Sequence, residues 1–500
     1  MNMISSASGQ IVTIMLSFIT RTIFIRYLSV EYLGLNGLFS NILTLFSLAN
    51  LGIGSAITYS LYKPIAENDA NKVTYLARLL EKAYFIIGVV ILALGILIIP
   101  FLDIFIKSDN NIYNLTIIYI IFLINYVAPY FYGYSYRAVA TAHQSEYLYY
   151  TTNTIFVIIT DIIRIISLII TQNYLIFISV QTVTNIIMFM IVKKRLFRKY
   201  PYLNSKRIET QISKEEKQGI IKNIKGSVLY NFGYVVTNGT DNILMSSFIG
   251  IKYLGYLTNY QYIINAVQSI LTQVFTSLVA SVGNLNATET NEKKVFIFNI
   301  LLFSSFWFYA FCAICILSLS DPFIELWLGK DFIVDRFVVG VIVLNFYIHG
   351  MQRAANIFRS AMGLFWYGRY RPLISATINL IMSLILLQMF GAAGIFLGTL
   401  ISILTVDIWY DPYIVFRYGI KASLRTYFHQ YLKYFIITIT TACITYWCVS
   451  LVTIVGMSGF LIKIVICLII PNTIFIITCH NTEEFKYLKG LVLRLINLKK

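Results

Sequence analysis

The chain has 500 residues, 58% of them hydrophobic and only 12% charged, and its formal net charge is +17. With a mean hydropathy of +0.74 it carries too little charge for a soluble protein of this length, and a polytopic membrane protein is predicted. The basic residues are spread over many short loops instead of one folded face, which argues against nucleic acid as a partner and for anionic membrane lipid.

Apolar runs of about 20 residues, each long enough to cross a ~30 Å hydrocarbon core as a helix, recur from end to end. Fourteen spans are predicted, at 8–28, 35–62, 83–102, 112–133, 147–171, 174–192, 223–248, 254–283, 295–319, 337–357, 373–389, 391–415, 434–454 and 458–479. The first lacks the short apolar core and small-residue cleavage site of a signal peptide, so it is expected to be retained. With both termini in the cytoplasm, the loops at 63–82, 134–146, 193–225, 284–294, 358–372 and 416–433 and the tail at 480–500 hold most of the Lys and Arg. The opposite loops hold only Lys107, Lys252, Lys330 and Arg336. That asymmetry is the signature of cytoplasmic loops.

Span 1 contains "SFITRTIFIRYLS", which places Arg21 and Arg26 in an apolar helix. An arginine near the bilayer centre costs ~2.5–3.5 kcal/mol, so it is expected to face protein or a wet cavity. Arg21 shares a helical stripe with Gln10, Thr13 and Ser17; Arg26 lies near the span's end, where it is either a site residue or a snorkelling one. In span 5, Asp161 and Arg164 sit three apart on one face and are as well suited to neutralising each other as to a functional role. Further stripes run through span 7 (Asn231, Tyr234, Asn238, Asp241), span 8 (Gln261, Asn265, Gln268, Thr272) and span 10 (Asn345, His349, Gln352, Asn356, flanked by Arg353). The neutral members serve equally as cavity lining or as interhelical hydrogen-bonding groups. Asp241 and His349 are candidates for ion coupling, against a scaffold Asp and a satisfied interior His. The six cysteines fall in apolar segments, behave as small apolar groups, and show neither zinc spacing nor a disulfide framework. No Walker A loop is present, and no metal or other cofactor is expected.

The chain also repeats. Tyr32-Leu33-Gly34 returns as Tyr253-Leu254-Gly255 at an offset of 221, Tyr136-Arg137-Ala138 aligns with Phe358-Arg359-Ser360 at 222, and Ile176-Phe177 and Phe197-Arg198 align with Ile395-Phe396 and Phe416-Arg417 at 219. Four matches in order at a nearly constant offset describe a duplicated six-helix unit. Six is even, so the copies insert the same way up, as parallel repeats. The expected organisation is an N-lobe at 1–192, a basic cytoplasmic linker at 193–222, a C-lobe at 223–418, and spans 13 and 14 with a basic tail at 419–500.

The repeated "YLG", the "FRSAMG" at 358–363, the "TNGTDNILMSSFIG" at 237–250 and the fourteen-span plan together resemble bacterial Wzx-type polysaccharide repeat-unit flippases, of the multidrug/oligosaccharidyl-lipid/polysaccharide superfamily. The resemblance covers almost the whole chain through diffuse motifs. It implies an all-α fold of two six-helix lobes in a V, like that of multidrug exporters, with spans 1, 2, 7 and 8 lining a central cavity, and two extra helices that shape a groove for a lipid tail. It further implies a cytoplasmic-membrane flippase for undecaprenyl-pyrophosphate-linked oligosaccharide, with a polysaccharide polymerase and export machinery as partners. In that reading Arg21 binds the pyrophosphate, because a guanidinium fork donates paired, charge-assisted hydrogen bonds, and Gln10, Ser17, Asn231, Asn238, Gln261, Asn265, Gln268, Asn345, Arg26 and Arg353 complete the site. The alternatives are a drug or cation antiporter of the same superfamily and a membrane polysaccharide polymerase. The outer loop at 320–336, with Asp321, Glu325, Asp331 and Asp335, is short for an enzyme.

Overall fold

The computed structural model describes residues 2–46, 57, 60–61, 64–65, 67–107, 114–143, 145–204, 239–276, 278–364 and 367–497. Among these residues the secondary structure is helical, with no strand. Among the described residues eleven helices are long and apolar enough to cross a membrane, and they coincide with the spans expected third to sixth and eighth to fourteenth. The spans expected at 8–28, 35–62 and 223–248 are not among the eleven, and parts of the last two lie outside the described residues. The chain forms two compact units, Met1–Gly255 and Tyr256–Lys500.

The first unit contains α1 (Asn2–Tyr27), α2 (Val30–Phe46), α3 (Ala70–Ile98), α4 (Leu115–Tyr132), α5 (Tyr134–Ala142), α6 (Tyr147–Thr171) and α7 (Tyr174–Lys199). Residues 239–244 are helical and run into a π-helical turn, Met245–Ile249. Polar caps set the boundaries: the Asp69 carboxylate accepts from the Lys72 amide at the start of α3, and the Asn173 side chain accepts from the Leu175 amide at the start of α7. The basic stretch from 193, expected as linker, is helical up to Lys199 because α7 simply continues. α1 packs on α6, α6 on α7, and α4 on both α3 and α7. Phe39 of α2 lies edge-on to Tyr119 and Phe122 of α4, and the Tyr119 hydroxyl donates to the Gly95 carbonyl of α3. Beyond α5, His143 stacks on Tyr200 at 4.2 Å and meets the Tyr202 hydroxyl at 2.6 Å.

The two "YLG" copies meet. A Cβ on Gly34 would strike the Ile251 carbonyl oxygen, and a Cβ on Gly255 would strike the Val30 carbonyl oxygen. Residues 30 and 251, and 34 and 255, are themselves related by the 221-residue offset. The contact is therefore reciprocal, as when two copies of one segment cross about a local two-fold axis. Lipid supplies no hydrophobic drive between helices, and glycine is what lets backbones approach this closely.

In the second unit are the body of α8 (Ile251–Thr276), α9 (Val279–Thr288), α10 (Asn291–Leu328), α11 (Arg336–Met351), α12 (Arg353–Ala361), α13 (Arg371–Phe390), α14 (Ala392–Ser402), α15 (Ile408–Ile414), α16 (Leu424–Ser450), α17 (Met457–Cys479) and α18 (Glu483–Asn497). α10, 38 residues long, is the axle of this unit and touches α11, α12, α16, α17 and α18. Phe306 on α10 stacks on Tyr434 of α16 at 4.5 Å and meets Phe475 of α17 at 4.9 Å, so the C-terminal helices are anchored through aromatic rings. α16 begins ten residues before the predicted span because Ser423 caps it, accepting from the Arg425 amide. α13 and α14 form a close hairpin turned at Gly391, whose φ of 56° favours glycine; across it Asn379 donates to the Thr399 hydroxyl at 2.8 Å and Ser383 to the Ile395 carbonyl at 2.9 Å. Two π-helical segments, Ile403–Asp407 and Val415–Ile420, flank α15.

Candidate functional site

Within the second unit, one arginine is mounted against a polar helix face. Arg353 opens α12 immediately after α11 ends, so the span expected as one helix is broken at Gln352. Its Nε donates to the Tyr309 hydroxyl of α10 at 3.2 Å and its Nη2 to the Thr272 hydroxyl of α8 at 3.1 Å. Both partners are neutral, so the positive charge is retained. A guanidinium has five N–H donors, and among the described residues these are the two side-chain hydrogen bonds it makes. Thr272 belongs to the stripe Gln261, Asn265, Gln268, Thr272, of which Asn265 is exposed and the others half-buried. His349, four residues before Arg353, is exposed and has Arg353 and Arg371 as its charged neighbours. The result is a half-buried cation bordered by hydroxyl groups, with Thr272 on the polar stripe of α8, a chemistry suited to a phosphate.

Asn345 does not join this group. It is buried, and its Nδ2 donates to the Phe396 carbonyl of α14 at 2.9 Å, on the packed side of α11. Gln352 is buried as well and Asn356 half-buried, so the stripe expected along span 10 divides between a packed face and a polar one.

A buried ionic cluster lies alongside. Asp411 on α15, with a side chain 0% exposed, accepts from Arg359 of α12 at 2.9 Å and from Arg371 of α13 at 2.6 Å. Arg371 also pairs with Asp407 at 3.3 Å, and Asp407 accepts from the Ser375 hydroxyl at 3.0 Å. Two cations and two anions are thereby neutralised out of water, fixing α12, α13 and α15 together. Sequence reading singled out Arg359 only as the repeat mate of Arg137 and missed Asp407, Asp411 and Arg371. The available signal was a pair of carboxylates at i and i+4 inside an apolar span, each of which needs a partner.

In the first unit, Thr13, Ser17 and Arg21 are half-buried on α1 and Arg26 is exposed in its last turn. Gln10 lies on the same helix. α1 packs on α6, where Asp161 and Arg164 form the expected pair at 3.3 Å and the guanidinium lies 3.9 Å from the Phe177 ring centre. Asp241 is half-buried in the helical stretch after Gly239. Asn231 and Asn238 lie outside the described residues. Among the described residues, no three His, Cys, Asp or Glu side chains are grouped to hold a metal ion.

No family model and no curated protein matches the sequence. Solved structures do resemble its fold. The lipid II flippase MurJ in an inward closed conformation matches with a TM-score of 0.66 at 15% identity, over 96% of this chain and 99% of MurJ. An inward-facing multidrug resistance MATE family transporter of the MOP superfamily matches with a TM-score of 0.61 at 12% identity, over 84% of this chain and 99% of the transporter. A mutant of the Vibrio cholerae MATE transporter VcmN gives 0.57 at 13% identity, over 84% of this chain and 94% of that one. The chain has the all-α membrane fold of these proteins.

Proposed function

We propose that the protein is a flippase that carries a lipid-linked oligosaccharide, its sugars joined to a prenyl pyrophosphate, from the inner to the outer face of the bacterial cytoplasmic membrane by alternating access, for assembly of a surface polysaccharide. The observation that carries this reading is Arg353, held between the Thr272 and Tyr309 hydroxyls, next to His349 and with no carboxylate at ion-pair distance among the described residues. A pyrophosphate cannot cross hydrocarbon unaided, and a guanidinium fork is its natural partner. Arg21 on α1 of the first unit also binds the pyrophosphate. Gln261, Gln268 and Asn265 meet the sugars, since amides both donate and accept, while the prenyl chain stays in lipid. Asp241 and His349 carry the ion coupling that resets the cycle. The lobes are the repeats 1–192 and 223–418, joined by the basic segment 193–222; both termini lie in the cytoplasm, and a polymerase and export machinery consume the product. The likeness to a lipid II flippase over 96% of this chain supports a lipid-linked substrate.

The likeness to MATE transporters supports a second reading, export of cationic drugs. Arg353 disfavours it, because a cation at the polar stripe repels cationic cargo. In proteoliposomes loaded with fluorescent prenyl-pyrophosphate oligosaccharide, Arg353→Ala and Arg21→Ala should each abolish flipping while the thermal midpoint stays within the wild-type range. Arg353→Lys should recover only part, keeping the charge but losing the fork. Unimpaired flipping by both alanine variants, or efflux of a cationic dye in place of flipping, refutes the flippase reading.

A further inference from the structure

The outward surface of α6 and α7 in the first unit changes character along its length in a way the transport reading does not use. On α7, Val183, Ile187 and Met190 are exposed and continue, at the same helical spacing, into exposed Lys194 and Arg198. On α6, Ile166, Ile162, Ile159 and Ile155 are exposed and lead to exposed Thr151. The two helices pack together, and at their polar ends they are stitched by cations: Arg195 Nη1 donates to the Thr152 hydroxyl at 2.8 Å and Lys199 Nζ to the Tyr147 hydroxyl at 3.2 Å.

Among the described residues, no carboxylate neutralises these four residues. The nearby carboxylates are engaged elsewhere, Glu81 with Lys193 at 3.1 Å and Glu146 with Arg137 at 3.8 Å. Among the described residues, Lys194, Arg195, Arg198 and Lys199 have no carboxylate within ion-pair distance. The helix C-terminal dipole accounts for some basic preference in this last turn, but not for two hydroxyl-anchored cations and an adjoining pair, all at the end of a continuous apolar strip.

We infer that the seam between α6 and α7 is a binding site for an anionic diacyl phospholipid. Its phosphate sits among Arg195, Arg198 and Lys199, and its acyl chains lie along the exposed isoleucine and valine stripes. Charge complementarity selects the head group: a phosphate with net negative charge matches four uncompensated cations, whereas a zwitterionic head group brings its own ammonium into the same cluster. The apolar stripes select a membrane lipid over free phosphate, because they match its chains and not a soluble ion. Basic clusters between spans at the cytoplasmic side are a recognised physical form of anionic-lipid recognition.

The test uses the purified full-length protein, delipidated and titrated with phosphatidylglycerol or with phosphatidylcholine of the same chains, reading the thermal midpoint and the lipids retained in native mass spectrometry. The wild type should be stabilised by phosphatidylglycerol and only weakly by phosphatidylcholine. In Arg195→Gln/Lys199→Gln the half-maximal phosphatidylglycerol concentration should rise about thirtyfold, as expected for two cations near a membrane surface. The charge-conserving Arg195→Lys/Lys199→Arg should keep most of the response, which guards against a folding defect in the first variant. A control that removes two cations elsewhere, Lys293→Gln/Lys294→Gln, should respond like the wild type. An unchanged titration in Arg195→Gln/Lys199→Gln overturns the inference, as does an equal loss in the Lys293/Lys294 control or equal stabilisation by phosphatidylcholine.

Discussion

Asp411 accepts from two arginines of the ionic cluster, Arg359 and Arg371, and its removal should be the most damaging charge change in the second unit. Its side chain is fully buried, that of Arg359 is 4% exposed, and that of Arg371 is 13% exposed. Asp411→Asn leaves Asp407, whose ion pair is with Arg371, as the remaining carboxylate of the cluster for two guanidinium groups. Arg359 then loses the anion of its 2.9 Å bond. Breaking a buried pair by removing one partner costs about 3–5 kcal/mol, comparable with the whole margin of a marginally stable fold, about 5–15 kcal/mol. Asp407→Asn is milder, because Arg371 keeps its 2.6 Å bond to Asp411 and Ser375 can still bond an amide oxygen; about 1–3 kcal/mol is expected, the cost of a disturbed buried hydrogen bond. The ordering is therefore Asp411→Asn well below Asp407→Asn below wild type, read as thermal midpoint and monodisperse fraction in one detergent. Removing the stranded cation as well, in Asp411→Asn/Arg359→Met, should recover at least half of the loss, since one cation then faces one anion. Equal midpoints for Asp411→Asn and wild type, or no recovery in the double variant, would refute the assignment of Asp411 as the keystone.

Gly34→Ala and Gly255→Ala should each lower the midpoint by the equivalent of about 1–3 kcal/mol through overpacking at the reciprocal crossing, whereas Gly340→Ala, a helical glycine with open space around it, should raise it slightly; a gain in all three variants would remove the close-approach argument. Burial and the Lys199 ammonium hold the His143 pKa below its ordinary 6.5. The unfolded chain therefore binds more protons than the folded one below that value, and stability is full above pH 6.5 and falls as the pH drops toward the folded pKa. His143→Gln should flatten this acid-side loss in midpoint-against-pH curves, and identical curves for variant and wild type would assign the acid sensitivity elsewhere.

The sequence made the helical membrane plan readable because hydropathy and length alone decide where a span lies, and the third to sixth and eighth to fourteenth spans fall where the apolar runs predict. The repeated "YLG" gains a physical reason from the crossing of Gly34 with Ile251 and of Gly255 with Val30: a side chain at either glycine would hold two backbones apart. Boundaries were less legible where no composition change marks them. α7 runs into the basic stretch to Lys199, and α16 starts at Leu424, because Lys and Arg are good helix formers and a capping serine at 423 can start a helix outside the apolar run.

The site shows where such reading stops. Helical spacing identifies which residues share a stripe, but not which neighbour that stripe meets, since rotation of one helix against another is a tertiary quantity. Asn345 and His349 are one turn apart, yet Asn345 is buried against Phe396 while His349 is exposed. Arg353 was visible as a flanking cation, but its placement depends on Tyr309, a residue 44 positions away on a helix whose sequence around it is wholly apolar and aromatic. The same holds for Asp407 and Asp411, whose i and i+4 spacing announces a need for cations without saying that Arg359 and Arg371, on two other helices, supply them. Charge inside a membrane span is thus the most informative kind of residue to find in the sequence and the least determined by it: its cost guarantees a partner, and only the packed helices decide whether that partner is a carboxylate, as for Arg359, or two neutral hydroxyls, as for Arg353.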